Sequence, residues 1–293
     1  MNNKAFLKYV FALLLFGSNG IVASNIELDS LNIVLLRTLI GSIFLIALFL
    51  ISGKKFSFYK YKLQCVSLAV SGIAMGTSWM FLYEAYVRIG VSIASLLYYC
   101  GPIIVIAFSP LIFKEKLSKN KIVGLIAVLI GAILINGNAF DGSGDMFGIV
   151  CGLFSAIMYA FMVICNKKAQ NIVGFENATL QLTIAFLTVA VFVGIKQGYI
   201  MQITSIDIIP ILVLGLLNTG IGCYFYFSSI GKLKIQTVAI CGYLEPLSAV
   251  MFSMIFLKES ILPLQVIGMI FIIGGTMCAE LIKKETVKHR EGS

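Results

Sequence analysis

The chain has 293 residues; 59% are apolar and 12% charged, against roughly 45–50% and ~25% in soluble domains, and the mean hydropathy is +1.00. A soluble fold of 32.0 kDa cannot bury that much apolar surface, so the composition excludes a soluble enzyme, a disordered chain and a DNA-binding domain. The net charge of +9 is read as loop charge facing anionic lipid and not as a nucleic-acid surface. The expected class is an all-α polytopic membrane protein whose partners are the lipid bilayer and a small-molecule metabolite.

A bilayer-crossing helix needs about 20 apolar residues. The first apolar run, 9–24, follows Lys4 and Lys8 and imitates a signal peptide, but no small-x-small cleavage site follows it. Runs at 31–51, 63–83, 91–113 and 122–135 complete a first set of five. A second set occupies 147–165, 178–195, 208–228, 235–257 and 264–281. The runs at 9–24 and 122–135 are short, so their helices are expected to extend into flanking residues. Only short polar breaks separate the ten runs, which leaves no room for an extramembrane domain.

Alternating the spans from a cytoplasmic N-terminus puts 18 of the 22 Lys and Arg inside. Three lie outside (Arg88, Lys196 and Lys258), and Arg37 is within a span. That asymmetry follows the positive-inside rule and places both termini in the cytoplasm of a cell inner or plasma membrane protein. The acidic residues Glu27, Asp29, Asp141, Asp145 and Asp207 then lie outside.

The seven cysteines form no C-x-x-C pair and nearly all lie in apolar runs, as small buried hydrophobes do. The single histidine, His289, is in a polar tail, so a Ser-His-Asp triad, a His-rich metal site and a histidine relay are excluded. The phosphate-binding pattern G-x-x-x-x-G-K-[ST] is absent, and with it a nucleotide-driven motor within this chain. No cofactor and no metal are expected.

The two sets of spans are copies. At a shift of 144 residues Tyr99-x-x-Pro102 falls on Tyr243-x-x-Pro246, Lys114-Glu115 on Lys258-Glu259, and Gly76, Gly124 and Gly131 on Gly220, Gly268 and Gly275. Five spans is an odd number, so the second copy must insert upside down relative to the first. Residues 1–136 are the first repeat, 137–145 an external loop, 146–282 the inverted second repeat and 283–293 a basic cytoplasmic tail. Inverted repeats around a midplane site are a hallmark of secondary transporters.

The pattern Pro102…Lys114-Glu115…Gly124…Gly131, repeated as Leu244-Glu245-Pro246…Lys258-Glu259…Gly268…Gly275, resembles the EamA-type repeat of the drug/metabolite transporter superfamily. Arg37, at the start of the second span, fits the first half of that pattern. The resemblance implies ten helices, a central cavity drawn mainly from the first, third, fourth, sixth, eighth and ninth, no ATP hydrolysis, and export or import of small metabolites. The first helix carries Phe16-Gly17 where many members have Trp-Gly, which leaves aromatic stacking there open. In the family the last helix of each half is peripheral, so the glycines of the fifth and tenth spans serve packing or a possible homodimer contact.

An ionisable group costs about 2.5–3.5 kcal/mol at mid-membrane on insertion scales, so each needs a partner or a wet cavity. Glu245 precedes Pro246 and is either a carboxylate for a cationic group or proton, or a structural cap on backbone freed by the proline. Glu84 pairs with Arg88 at the surface or takes part in coupling. Arg37 snorkels to the headgroups, pairing with Glu27 or Asp29, or else gates and recognises a carboxylate. Trp79, Tyr83, Tyr98, Tyr99, Tyr159 and Tyr243 supply aromatic faces and hydroxyls for an amine, each cation–π contact being worth about 0.5–2 kcal/mol. Tyr9, Tyr59, Tyr61 and Tyr86 read as an interfacial belt, and Asn19 and Asn218 as polar groups that bind substrate or bridge helices.

These residues point to a transporter of a small amine, amino acid or similar zwitterion by alternating access, with export favoured. An importer of a quaternary ammonium or other organic cation, or a passive facilitator, is the rival. A membrane-embedded enzyme fits least, for want of an intramembrane histidine or a paired-Asp motif.

Overall fold

The computed structural model describes residues 3–136, 145–257 and 262–281. The Lys258-Glu259 pair, most of the 137–145 loop and the basic tail lie outside the described residues. The described chain is all helical, and six helices are long and apolar enough to cross a membrane. Two shorter apolar helices, Cys100–Phe113 and Pro263–Ala279, accompany them.

In chain order the helices are α1 (Asn3–Gly17), α2 (Asn19–Ala23), α3 (Ser30–Ile51), α4 (Lys62–Tyr98), α5 (Cys100–Phe113), α6 (Lys119–Asn136), α7 (Met146–Lys168) and α8 (Gly174–Lys196). They continue as α9 (Ile208–Leu212), a π-helical stretch Val213–Ile221, α10 (Gly222–Ile230), α11 (Ile235–Cys241), α12 (Leu244–Leu257) and α13 (Pro263–Leu281). The short first and fifth runs do extend, α1 starting at Asn3 and α6 at Lys119.

The polar break expected between 83 and 91 is absent, because helical geometry continues to Tyr98. The chain nevertheless reverses within residues 90–96. Up to Ile89 it runs antiparallel to α7: Ser71 Oγ donates to the Met162 carbonyl, Ser78 Oγ to the Ser155 carbonyl, and Gly148 abuts Ile89. From Leu97 it runs parallel to α7, with Leu97 against Gly152 and Gly101 against Tyr159. Both arms of α4 thus pack on one helix.

Three helices are broken near mid-length. Between α1 and α2, the Asn218 amide donates to the Leu15 carbonyl (3.0 Å) and Ser18 Oγ (2.8 Å), and so holds the freed backbone. The second and third breaks, at Tyr99 and at Gly242-Tyr243, fall at the same place in the two repeats, just before Pro102 and Pro246. The residue before a proline is biased away from helix, and proline cannot donate, so the break has a local cause.

The π-helical stretch has a tertiary cause. Thr219 Oγ1 donates five residues back to the Leu214 carbonyl and accepts from Arg37 Nε at 3.0 Å. Gly215 and Gly220 let Ile40 and Phe44 press on the same turns. Widened turns of this kind concentrate at functional sites.

The glycines of α6 and α13 face one another. A Cβ at Gly124 would lie 2.5 Å from the Gly275 carbonyl, and one at Gly131 would lie 2.5 Å from the Gly268 carbonyl. Of the two uses expected of these glycines, packing or a dimer contact, the structure shows packing within the chain. They are used inside the chain, where absent side chains let two backbones touch.

Candidate functional site: a tyrosine-walled cavity

The helix breaks surround one internal cavity, lined by Phe16 and Asn19, by Met75, Trp79 and Tyr98 of α4, by Tyr159 and Met162 of α7, by Cys223, Tyr226 and Phe227 of α10, and by Glu245 at the start of α12. Its volume is about 50 Å³. That is room for a few waters, since one needs roughly 10–15 Å³ by this measure. A metabolite enters only if the walls move apart.

The cavity floor is sealed toward the end that carries most of the lysines. Tyr9 is fully buried, its ring 5.1 Å from that of Tyr226, and its hydroxyl donates to the Val238 carbonyl at 2.8 Å. This overturns the belt reading of Tyr9. Its hydroxyl joins the Gly242 amide on the Val238 carbonyl near the end of α11, inside the bundle, where an interfacial ring would not reach. Tyr159 and Tyr226 share a hydroxyl–hydroxyl hydrogen bond of 3.2 Å beside it. Below them Glu115 Oε1 accepts from the Ile235 amide, Lys121 Nζ donates to Gln236, and Lys167 Nζ donates to the carbonyls of Ile230, Gly231 and Leu233. Asn19, Trp79, Tyr98 and Glu245, in contrast, keep partial exposure.

The Glu245 carboxylate opens into this space and accepts no hydrogen bond from any described residue; Tyr98 and Tyr159 share the wall with it. The structural-cap alternative for its carboxylate therefore has no hydrogen bond to stand on. Arg37 is 3% exposed. The snorkelling and Glu27/Asp29 pairing expected from sequence is corrected, because α3 turns this side chain inward. Its guanidinium stacks on Trp79 at 4.6 Å, and it donates to Thr219 Oγ1 at 3.0 Å and Tyr83 Oη at 3.1 Å. It has no carboxylate partner among the described residues. Arg37 thus stands one ring behind the wall, with Trp79 between it and the cavity.

The other expected site residues divide by position. Asn19, Trp79, Tyr98 and Tyr159 are on the wall. Tyr83 is behind it, held by Arg37. Asn218 is not on the wall; its amide is spent on Leu15, Ser18 and Asn19. Tyr243 and Tyr99 form a seam next to the cavity, the Tyr243 hydroxyl donating to the Tyr99 carbonyl at 2.6 Å. Glu84 is away from the cavity, paired with Arg88 at 2.8 Å and within 3.8 Å of Lys196. Met75, Met162, Cys223 and Phe227 also line the cavity. Sequence reasoning missed them because apolar residues inside apolar spans carry no local signal. Phe16 makes a tilted ring contact with Tyr226, 5.7 Å between centroids at 51°, and not a stack.

The EamA-like transporter family model matches residues 3–137 and again 146–280. The chain belongs to the EamA-like transporter family. This EamA-like transporter is 25% identical over 292 residues to the uncharacterized transporter YxxF of Bacillus subtilis, covering 96% of this chain and 90% of that one. It is 24% identical over 260 residues to the threonine/homoserine exporter RhtA of Escherichia coli, covering 87% and 83%. A crystal structure superposes with a TM-score of 0.83 at 18% identity, over 97% of this chain and all of the other, a likeness of fold. Its relatives are named as transporters, in keeping with a multi-pass membrane protein.

Proposed function

We propose that the protein is a secondary transporter that exports a small zwitterionic metabolite of the amino-acid class. The observation that carries this reading is the pairing of an unpartnered Glu245 carboxylate on the cavity wall with a buried Arg37 cation that lacks a carboxylate. A substrate ammonium satisfies the first, and a substrate carboxylate reaches the second once Trp79, which covers Arg37 on the cavity side, moves aside. Each charge is expensive in a membrane interior, so two opposite charges near one cavity, neither with an ion-pair partner among the described residues, favour a ligand of matching polarity. The name of the relative RhtA, an exporter of threonine and homoserine, agrees in substrate class and direction.

Ten spans in two inverted five-helix halves, with both termini and the lysine-rich end in the cytoplasm, make the mechanism an exchange between two closures. The cavity floor sealed by Tyr9 and Tyr226 then corresponds to a state closed to the cytoplasm. Substrate shifts the balance only by binding the two states unequally. The test is counterflow into proteoliposomes loaded with threonine or homoserine. Saturable uptake of labelled substrate, lost with Glu245→Gln, supports the reading; non-saturable flux identifies a facilitator, and chemical turnover of the substrate an enzyme.

A further inference from the structure

Outside the cavity, a second hollow opens on the flank of the bundle between α4, α7 and α8. Glycines hold α4 against α8 lower down, where a Cβ at Gly72 would meet Ile184 at 2.6 Å and one at Gly76 the Ala185 carbonyl at 2.8 Å. Toward the end opposite the lysine-rich one the helices part. They leave a hollow of about 480 Å³, against about 50 Å³ for the cavity. Its floor is apolar, with Met80, Phe81, Val191, Phe192 and Ile195.

The rim of this groove is charged in a specific way. Of the three basic residues that the sequence assigns to this end outside the spans, Lys258 lies outside the described residues, and the other two, Arg88 and Lys196, both stand on this groove. Each lies over a ring of the lining, Arg88 over Phe147 at 4.6 Å and Lys196 over Phe192 at 5.8 Å. Glu84 and Asp145 bind Arg88 at 2.8 Å, while Lys196 keeps only a 3.8 Å approach to Glu84 and makes no hydrogen bond among the described residues. The rim is therefore neutral in sum, with an ammonium at one edge and a carboxylate at the other.

We propose that this groove binds one phospholipid with an amine-bearing headgroup. An acyl chain lies between α4 and α8, the phosphate meets Lys196, and the headgroup ammonium meets Asp145 and Glu84. An apolar trough matches the acyl chain, and the opposed rim charges match a zwitterionic head better than an anionic or uncharged one.

Native mass spectrometry of the full chain, with phosphatidylethanolamine, phosphatidylglycerol and diacylglycerol titrated back after delipidation, tests this. The expected result is one tightly held phosphatidylethanolamine per chain, with diacylglycerol binding at least about tenfold more weakly and phosphatidylglycerol in between. Lys196→Glu, an exposed change, is expected to abolish the preference for phosphatidylethanolamine while leaving the melting temperature of the delipidated protein unchanged. Val191→Trp is expected to fill the trough and abolish retention of all three lipids. Equal binding of the three lipids by the unaltered protein, or retention of phosphatidylethanolamine by both variants at the original level, overturns the proposal.

Discussion

The hydroxyl of Tyr243 donates to the backbone carbonyl of Tyr99 at 2.6 Å, across 144 residues of sequence. That separation is the shift relating the two repeats, so the bond joins equivalent positions in opposite halves, each just before its proline. It bridges two helix breaks, a side chain at one donating to the backbone at the other. Tyr243→Phe removes the donor and with it this bond between the halves. The expected cost is about 0.6–2 kcal/mol, read as a lowered melting temperature in detergent, with slower counterflow. An unchanged melting temperature and rate would show that the seam carries no weight.

Glu245→Gln keeps the volume of the side chain and removes its charge. If the carboxylate takes a substrate ammonium, counterflow of threonine or homoserine falls about 10- to 100-fold, the loss of one charge-assisted contact. Binding of a substrate analogue without the amine is expected to be spared. A parallel loss for both compounds would point to a structural role.

Arg37→Lys retains a cation but loses the planar face on Trp79 and the fork that reaches Thr219 and Tyr83 together. The fluorescence of Trp79, the sole tryptophan, reports this directly. A shifted emission is expected with Lys and a larger one with Gln, and affinity for the carboxylate-bearing substrate is expected to drop in the same order. Equal transport by all three proteins would remove Arg37 from recognition.

At the end opposite the lysines, Asp207 accepts from the Glu27 amide at 2.8 Å and from Thr204, tying two loops together. The Thr204 hydroxyl and the amides of Glu27 and Thr204 hold its carboxyl below the usual carboxylate range. A depressed acid stabilises the fold above its unfolded pKa of about 3.9, and this contribution is lost as pH falls through the lower folded value. Asp207→Asn is therefore expected to lower the melting temperature at neutral pH, with the difference closing below about pH 4. A difference that persists unchanged at pH 3 would contradict the assignment.

Gly131→Leu drives a side chain into the Gly268 carbonyl, which a bare Cβ would already approach to 2.5 Å. Separating α6 from α13 is expected to cost at least about 1–3 kcal/mol, seen as a lower melting temperature. Gly274→Leu on the same helix pair is the control, because nothing lies within 4 Å of that position.

Hydropathy, charge and the 144-residue shift were enough to read a helical membrane protein of this family. Each rests on what a segment does in lipid, where a backbone must satisfy its own hydrogen bonds and a lysine must reach water. The prolines in the first turns of α5 and α12 announced the two equivalent breaks, and Trp79, Tyr98, Tyr159 and Glu245 were recognisable as wall residues because polar groups stand out in an apolar span. Where Arg37 and Tyr9 point was a different question. A cation eight residues into a span reads as snorkelling until another helix offers it Thr219 and Tyr83, and Tyr9 reads as interfacial until Val238 accepts its proton. The repeat also equates Glu245 with Gly101 and Arg37 with Gln181, so the charged site exists in one copy only. Local sequence sets which residues can enter the membrane; the packing of one half on the other decides which of them meet, because their partners lie far along the chain.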